Sequence, residues 1–141
     1  MFVQDRDSTR RFFLEVWKKK KAGTSMEPLE QIVAGIIMQH PEYHSLLKDE
    51  DRALEEDYTP ERGEPNPFLH MSMHIAMHEQ LTTDRPAGVA DVFRSLLPKF
   101  ASAHELEHRM MDCLAEVLWE AERNRTVPDE ATYLECVKKI T

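Results

Sequence analysis

The stretch PFLHMSMHIAMHEQL, at residues 67–81, carries the strongest fold signal in the chain. Asn66 is a good helix cap and Pro67 suits the first helical position, so the pattern predicts a helix over residues 67–82. Apart from three histidines, few polar side chains interrupt this segment. A helix that is apolar nearly all round is typical of the centre of a helical domain.

Helical periodicity continues on both sides of this segment. Caps and apolar stripes predict five more helices, over residues 8–21, 28–39, 89–97, 102–122 and 126–140. Asp7 or Ser8 is expected to cap the first, and Ser102 with Glu105 forms a capping box on the long one. Shorter helical pieces are predicted over 42–47 and 52–58, followed by a proline-rich loop over 58–67.

No segment alternates apolar and polar residues in the way that indicates a strand. The chain has 141 residues, the length of one ordinary globular domain. The sequence therefore predicts an all-α fold, a single-domain helical bundle of roughly six helices over residues 1–141.

Charge and hydropathy exclude several partners and predict others. The net charge of −8 opposes nucleic-acid binding, and the chain has neither a long apolar run for a membrane nor a signal-peptide pattern, so it is expected to be cytoplasmic. Residues 49–64 contain eight acids against two arginines, whereas the first helix ends in Lys18–Lys21. This acidic segment is expected to attract the basic helix of the same chain or of a second copy, which favours a homo-oligomer or a protein partner.

The cysteines do not form a recognisable motif. Cys113 and Cys136 lie far apart and no C-x-x-C occurs, so we expect buried, reduced thiols.

Two histidine pairs are the candidate metal ligands. His70 and His74 lie four residues apart on the predicted central helix, and His104 and His108 repeat this spacing on the long helix. The i, i+4 spacing allows two imidazoles to meet one ion. Glu107 points into the apolar arc of the long helix, where a carboxylate needs a partner, so it is a further candidate ligand or orienting group.

A third histidine on the central helix, His78, cannot share an ion with His70. The two would lie about 12 Å apart along the helix axis, whereas a zinc ligand lies about 2.1 Å from the ion. If the two helices face each other, the remaining pairs predict a nitrogen-rich site for Zn²⁺, Fe²⁺ or another borderline metal. Any catalysis there would use metal-bound water or dioxygen, because no nucleophile–base pair is visible.

Other interpretations of the same residues remain open. The histidines could be structural, in a non-enzymatic interaction or scaffold protein where they only pack and form hydrogen bonds. HELEH, at 104–108, matches the H-x-x-E-H protease pattern, but only 33 residues follow it, too few for the expected catalytic domain. The Glu-x-x-His spacing of di-iron bundles occurs only once, at Glu105 and His108.

Five strings along the chain resemble a small bacterial family of unknown function, DUF1841. They are RFFLEVW (11–17), HPEYHSLL (40–47), NPFLHMSMH (66–74), HELEH (104–108) and LAEVLWEA (114–121). The resemblance spans almost the whole chain and implies a single-domain bacterial protein. It includes His70 and His74 but not His78, which favours the first two as the pair on the central helix. It implies no activity, substrate or cofactor.

Overall fold

A computed structural model describes residues 6–58 and 66–141. These residues form eight α-helices and two single 3-10 turns, and they contain no strand, which confirms the all-α prediction. The helices are α1 (Arg6–Ala22), α2 (Pro28–Met38), α3 (His44–Lys48), α4 (Glu50–Glu55), α5 (Pro67–Thr83), α6 (Val89–Leu96), α7 (Ala103–Asn124) and α8 (Glu130–Lys138). The 3-10 turns are Pro41–Tyr43 and Leu97–Lys99.

The predicted number of roughly six helices is wrong. The two short pieces after Pro41 are the helices α3 and α4, separated by a single residue, Asp49. Asp49 ends one helix and caps the next, because its carboxylate accepts a 3.2 Å hydrogen bond from the backbone N–H of Arg52. Most of the predicted proline-rich loop, residues 59–65, lies outside the described residues, and bundle packing stays a prediction.

The starts of the two histidine-bearing helices agree with the predicted caps. The Asn66 side-chain oxygen accepts hydrogen bonds from the backbone N–H groups of Phe68 (2.9 Å) and Leu69 (3.2 Å) at the start of α5. Ser102 accepts one from the N–H of Glu105 (3.1 Å) at the start of α7. Both caps satisfy N–H groups that have no partner within the helix.

Two other predicted helix starts are wrong. The last helix was expected from Thr126, but α8 begins at Glu130. Asp129 is its cap, because the carboxylate accepts hydrogen bonds from the backbone N–H groups of two residues in the first turn, Ala131 and Thr132. At the other end of the chain, Asp7 and Ser8 lie inside α1 rather than before it.

Backbone contacts group the chain into two compact units, Met1–Ile75 and Ala76–Thr141. The boundary falls within the continuous helix α5. A single domain over residues 1–141 stays a prediction. Among the described residues, no helix is long and apolar enough to cross a membrane.

The first unit packs α1 and α2 against the short helices and the start of α5. Its core includes Phe13, Trp17, Ile37, Leu47, Phe68 and Met71. Arg10 is only 3% exposed. Its guanidinium donates hydrogen bonds to the backbone carbonyls of Ala53 (3.0 Å), Leu54 (3.3 Å) and Glu56 (2.7 Å), at the C-terminal end of α4. Arg10 thus satisfies carbonyls that the helix leaves open.

The predicted attraction between the basic helix and the acidic segment occurs within one chain. Arg6 of α1 forms an ion pair with Asp57, and Lys18 forms one with Glu50 at 3.4 Å. These pairs are exposed, so each adds at most about 1 kcal/mol to stability.

The second unit has its own core and a covalent link. Its buried side chains include Met77, Val89, Leu106, Met110, Val117, Tyr133 and Val137. Cys113 and Cys136 form a disulfide that joins α7 to α8, so the prediction of reduced thiols is wrong. The sequence does not predict this disulfide, because the two cysteines are 23 residues apart and their contact depends on how α8 packs on α7.

Candidate metal centre

The α5 helix and the end of α2 bring three imidazoles together in the first unit. His70 and His74 lie on one face of α5, and their ring centroids are 5.1 Å apart. His40, just before the Pro41–Tyr43 turn, lies 4.8 Å from each of them. His40 and His74 are each only 1% exposed, so two of these three rings are inaccessible to bulk water.

The tautomer of His40 follows from its contact with the backbone. Its Nδ1 lies 2.7 Å from the carbonyl oxygen of Ile36. A carbonyl can only accept a hydrogen bond, so Nδ1 must carry the proton. In the neutral ring, Nε2 then has the lone pair. A backbone carbonyl on one ring nitrogen is the usual way in which a protein orients a metal-ligating histidine.

His70 has a different contact. Its Nδ1 lies 2.7 Å from the hydroxyl oxygen of Tyr43. The ring of Tyr43 also stacks on His40, with centroids 5.6 Å apart and planes 7° from parallel. Burial raises the pKa of the Tyr43 hydroxyl, so this group stays protonated at neutral pH. Tyr43 thereby holds two of the three histidine rings in place.

The α7 helix carries the second histidine pair in its first turns. His104 and His108 are half-buried, and their ring centroids are 4.4 Å apart. Their relative position is what the i, i+4 spacing predicts. Glu107, on the same helix, is half-buried.

Four histidines can each offer one nitrogen to a metal ion: His40 and His74 in the first unit, and His104 and His108 in the second. A tetrahedral ion with bonds of about 2.1 Å needs its donors about 3.4 Å apart. Three of these residues were predicted ligands. His70 and Glu107 are not among these four, and their participation stays a prediction.

Sequence reasoning missed His40. It precedes a proline, and this pattern indicates the end of a helix. His40 does lie just after the end of α2. Its position beside His70 and His74 depends on contacts with residues 30 and 34 positions further along the chain, which periodicity does not report. The only local signal was the motif HPEYH, at residues 40–44, which places two histidines beside a turn.

The remaining two histidines are excluded from the set by their positions. His44 has Nε2 2.9 Å from the carbonyl of Ile37, and its ring lies 4.6 Å from that of Trp17. It is a structural residue. His78 is exposed on α5, one turn after His74.

The donor set determines which ions fit. Neutral imidazole nitrogens suit borderline divalent metals such as Zn²⁺ and Fe²⁺, whereas Mg²⁺ and Ca²⁺ prefer oxygen ligands. The four candidate side chains include no carboxylate and no thiolate.

Comparisons with known proteins identify the chain at the level of its family. No curated protein and no solved structure shows significant similarity to it. A family model described as "Domain of unknown function (DUF1841)" matches residues 5–139 of the 141. The four candidate histidines fall within the matched region. The match covers nearly the whole chain, and the chain therefore belongs to the DUF1841 family.

Proposed function

We propose that the chain binds one transition-metal ion through His40, His74, His104 and His108, with Zn²⁺ or Fe²⁺ as the ion. Glu107 and His70 lie next to these residues in sequence or in space and help to orient them. The orientation of His40 is the observation that carries the proposal. A buried imidazole whose Nδ1 is bonded to the Ile36 carbonyl presents its lone pair on the other nitrogen, beside a second buried imidazole.

The number of ligands bears on the role of the ion. Four protein ligands fill a tetrahedral shell, as in structural sites, whereas catalytic zinc keeps a position for water. The proposed set therefore favours a structural or metal-carrying role over hydrolysis. Catalysis by metal-bound water or dioxygen would require one of the half-buried ligands on α7 to leave the ion.

The alternative is a non-enzymatic interaction protein whose histidines are structural. His44 is the specific observation in its favour, because this chain already uses one histidine to bond a carbonyl and to pack against Trp17. The two functions differ in what removal of a single imidazole does to metal affinity.

Metal titration of the untagged chain separates them. Zn²⁺ and, under anaerobic conditions, Fe²⁺ are titrated in competition with a chromophoric chelator. The proposal predicts one ion per chain. His74→Ala and His108→Ala each lower the affinity more than about 100-fold, since a lost ligand costs more than a lost orienting group.

His78→Ala is the matched control, because it removes an exposed imidazole from the same helix as His74. It is expected to bind like the unmodified chain. Wild-type affinity in His74→Ala and His108→Ala, or no stoichiometric binding by the unmodified chain, would refute the metal site and support the structural alternative.

A further inference from the structure

The two cysteines of the Cys113–Cys136 disulfide differ in exposure. Cys113 is 5% exposed and faces the core of the second unit. Cys136 is half-buried and lines a surface groove of about 300 Å³. The groove runs along α7 and α8, and its charged lining residues are Glu116, Glu120, Glu135 and Lys139. An incoming thiol in this groove therefore meets Cys136 rather than Cys113.

The groove also carries a defined charge. Three carboxylates and one ammonium group give it a net charge of −2 when all are ionised. Thiol–disulfide exchange proceeds through a thiolate, so the attacking group itself is negative. A reagent with a further negative charge is repelled, whereas a reagent with a compensating ammonium group is not.

We propose that Cys136 is a thiol-exchange site whose acidic groove admits cationic or neutral thiols and discriminates against anionic ones. The co-reactant is a thiol or dithiol reductant with no net negative charge near its sulfur. This proposal uses none of the histidines and stands apart from the metal site.

The exchange proceeds in two steps. A thiolate attacks Sγ of Cys136, the Cys113–Cys136 bond breaks, and the sulfur of Cys113 leaves with the electron pair as a thiolate. A second thiolate then attacks the reagent sulfur of the mixed disulfide, and Cys136 leaves as a thiolate. The protein disulfide gains two electrons and two protons, and two reagent thiols are oxidised to one disulfide.

The test uses the native, unmodified chain in a metal chelator, so that bound metal does not affect the thiols. It is reduced with 2-mercaptoethylamine (cationic), 2-mercaptoethanol (neutral) or 3-mercaptopropionate (anionic), and each rate is corrected for the pKa of the reagent thiol. We expect the corrected rate of reduction by the cationic reagent to be about tenfold higher than that by the anionic reagent at low ionic strength. The difference should be smaller at 1 M salt. Peptide mapping after N-ethylmaleimide quenching should find the mixed disulfide on Cys136 and maleimide on Cys113.

Two double variants complete the experiment. Glu116→Gln with Glu120→Gln removes two groove charges and should bring the corrected rates within about twofold of each other. Glu15→Gln with Asp51→Asn removes the same charge from exposed positions on α1 and α4. In this variant the cationic reagent should still react faster than the anionic one. Free thiols in the purified chain, a mixed disulfide on Cys113, or equal corrected rates in the unmodified chain would each overturn the proposal.

Discussion

The Nδ1–H group of His40 donates a 2.7 Å hydrogen bond to the carbonyl oxygen of Ile36. This contact ties His40, two residues after the end of α2, back to that helix. It also decides which nitrogen of a buried imidazole can bind a metal, because the donor nitrogen has no lone pair to offer.

The tautomer of His40 is the first prediction. In the metal-free chain, long-range ¹H–¹⁵N spectra of the neutral ring should show a protonated Nδ1 and an unprotonated Nε2. Added Zn²⁺ should shift the Nε2 resonance and leave Nδ1 protonated. A ring protonated on Nε2 in the metal-free chain would contradict the orientation on which the site depends.

His44 should separate stability from metal binding. His44→Ala removes the contact with Trp17 and the hydrogen bond to the Ile37 carbonyl, so it should lower the free energy of unfolding by about 1–2 kcal/mol. Metal stoichiometry should stay at one ion per chain, whereas His40→Ala should abolish it. Equal loss of metal in both variants would mean that the histidines act only through folding. Urea unfolding and metal titration on the same samples measure both effects.

Arg10 should contribute more to stability than its surface neighbour. Arg10→Met leaves the carbonyls at the end of α4 without their donor, so we expect the free energy of unfolding to fall by about 2–3 kcal/mol. Arg11→Met is the control, because Arg11 is exposed on the same helix, and it should change stability by less than about 0.5 kcal/mol. Equal effects of the two substitutions in urea unfolding would argue against the capping role.

Asp84 should make stability depend on acid pH. Backbone N–H groups of Ala90 and Gly88 donate hydrogen bonds to its carboxylate and lower its pKa below the usual value of an aspartate. As pH falls, the unfolded chain takes up this proton first, so the contribution is complete above about pH 5 and is lost as pH falls through the folded-state pKa.

In Asp84→Asn, the free energy of unfolding should therefore decline less between about pH 5 and pH 2 than in the unmodified chain. Asp112→Asn, at an exposed position on α7, should keep the slope of the unmodified chain. If Asp84→Asn also keeps that slope, the carboxylate does not stabilise the start of α6 in the way that its contacts indicate.

Features that depend on residues close together in sequence, such as helix caps, could be predicted from the sequence. The starts of α5 and α7 followed from Asn66 and Ser102, because a cap bonds to N–H groups two or three residues away. The i, i+4 pairs followed from helix geometry in the same way. The predicted start of the last helix at Thr126 was wrong because Asp129 caps that helix instead.

Contacts between residues that lie far apart in the sequence could not be predicted in this way. The disulfide depends on the packing of α8 on α7, and the position of His40 beside α5 depends on the fold of the first unit. Both involve residues whose local sequence suggested something else, a reduced thiol in one case and a helix end in the other. The histidine that the sequence did not single out was therefore the one whose contacts lie far from it in sequence.

X-ray absorption at the zinc edge, on the chain loaded with one equivalent of Zn²⁺, tests the metal site most directly. The account predicts four nitrogen donors at about 2.0–2.1 Å, with the multiple scattering of imidazole rings from all four. A sulfur shell at about 2.3 Å would place the ion on reduced Cys113 and Cys136 instead. That result, or a first shell made mostly of water oxygen, would contradict the four-histidine site.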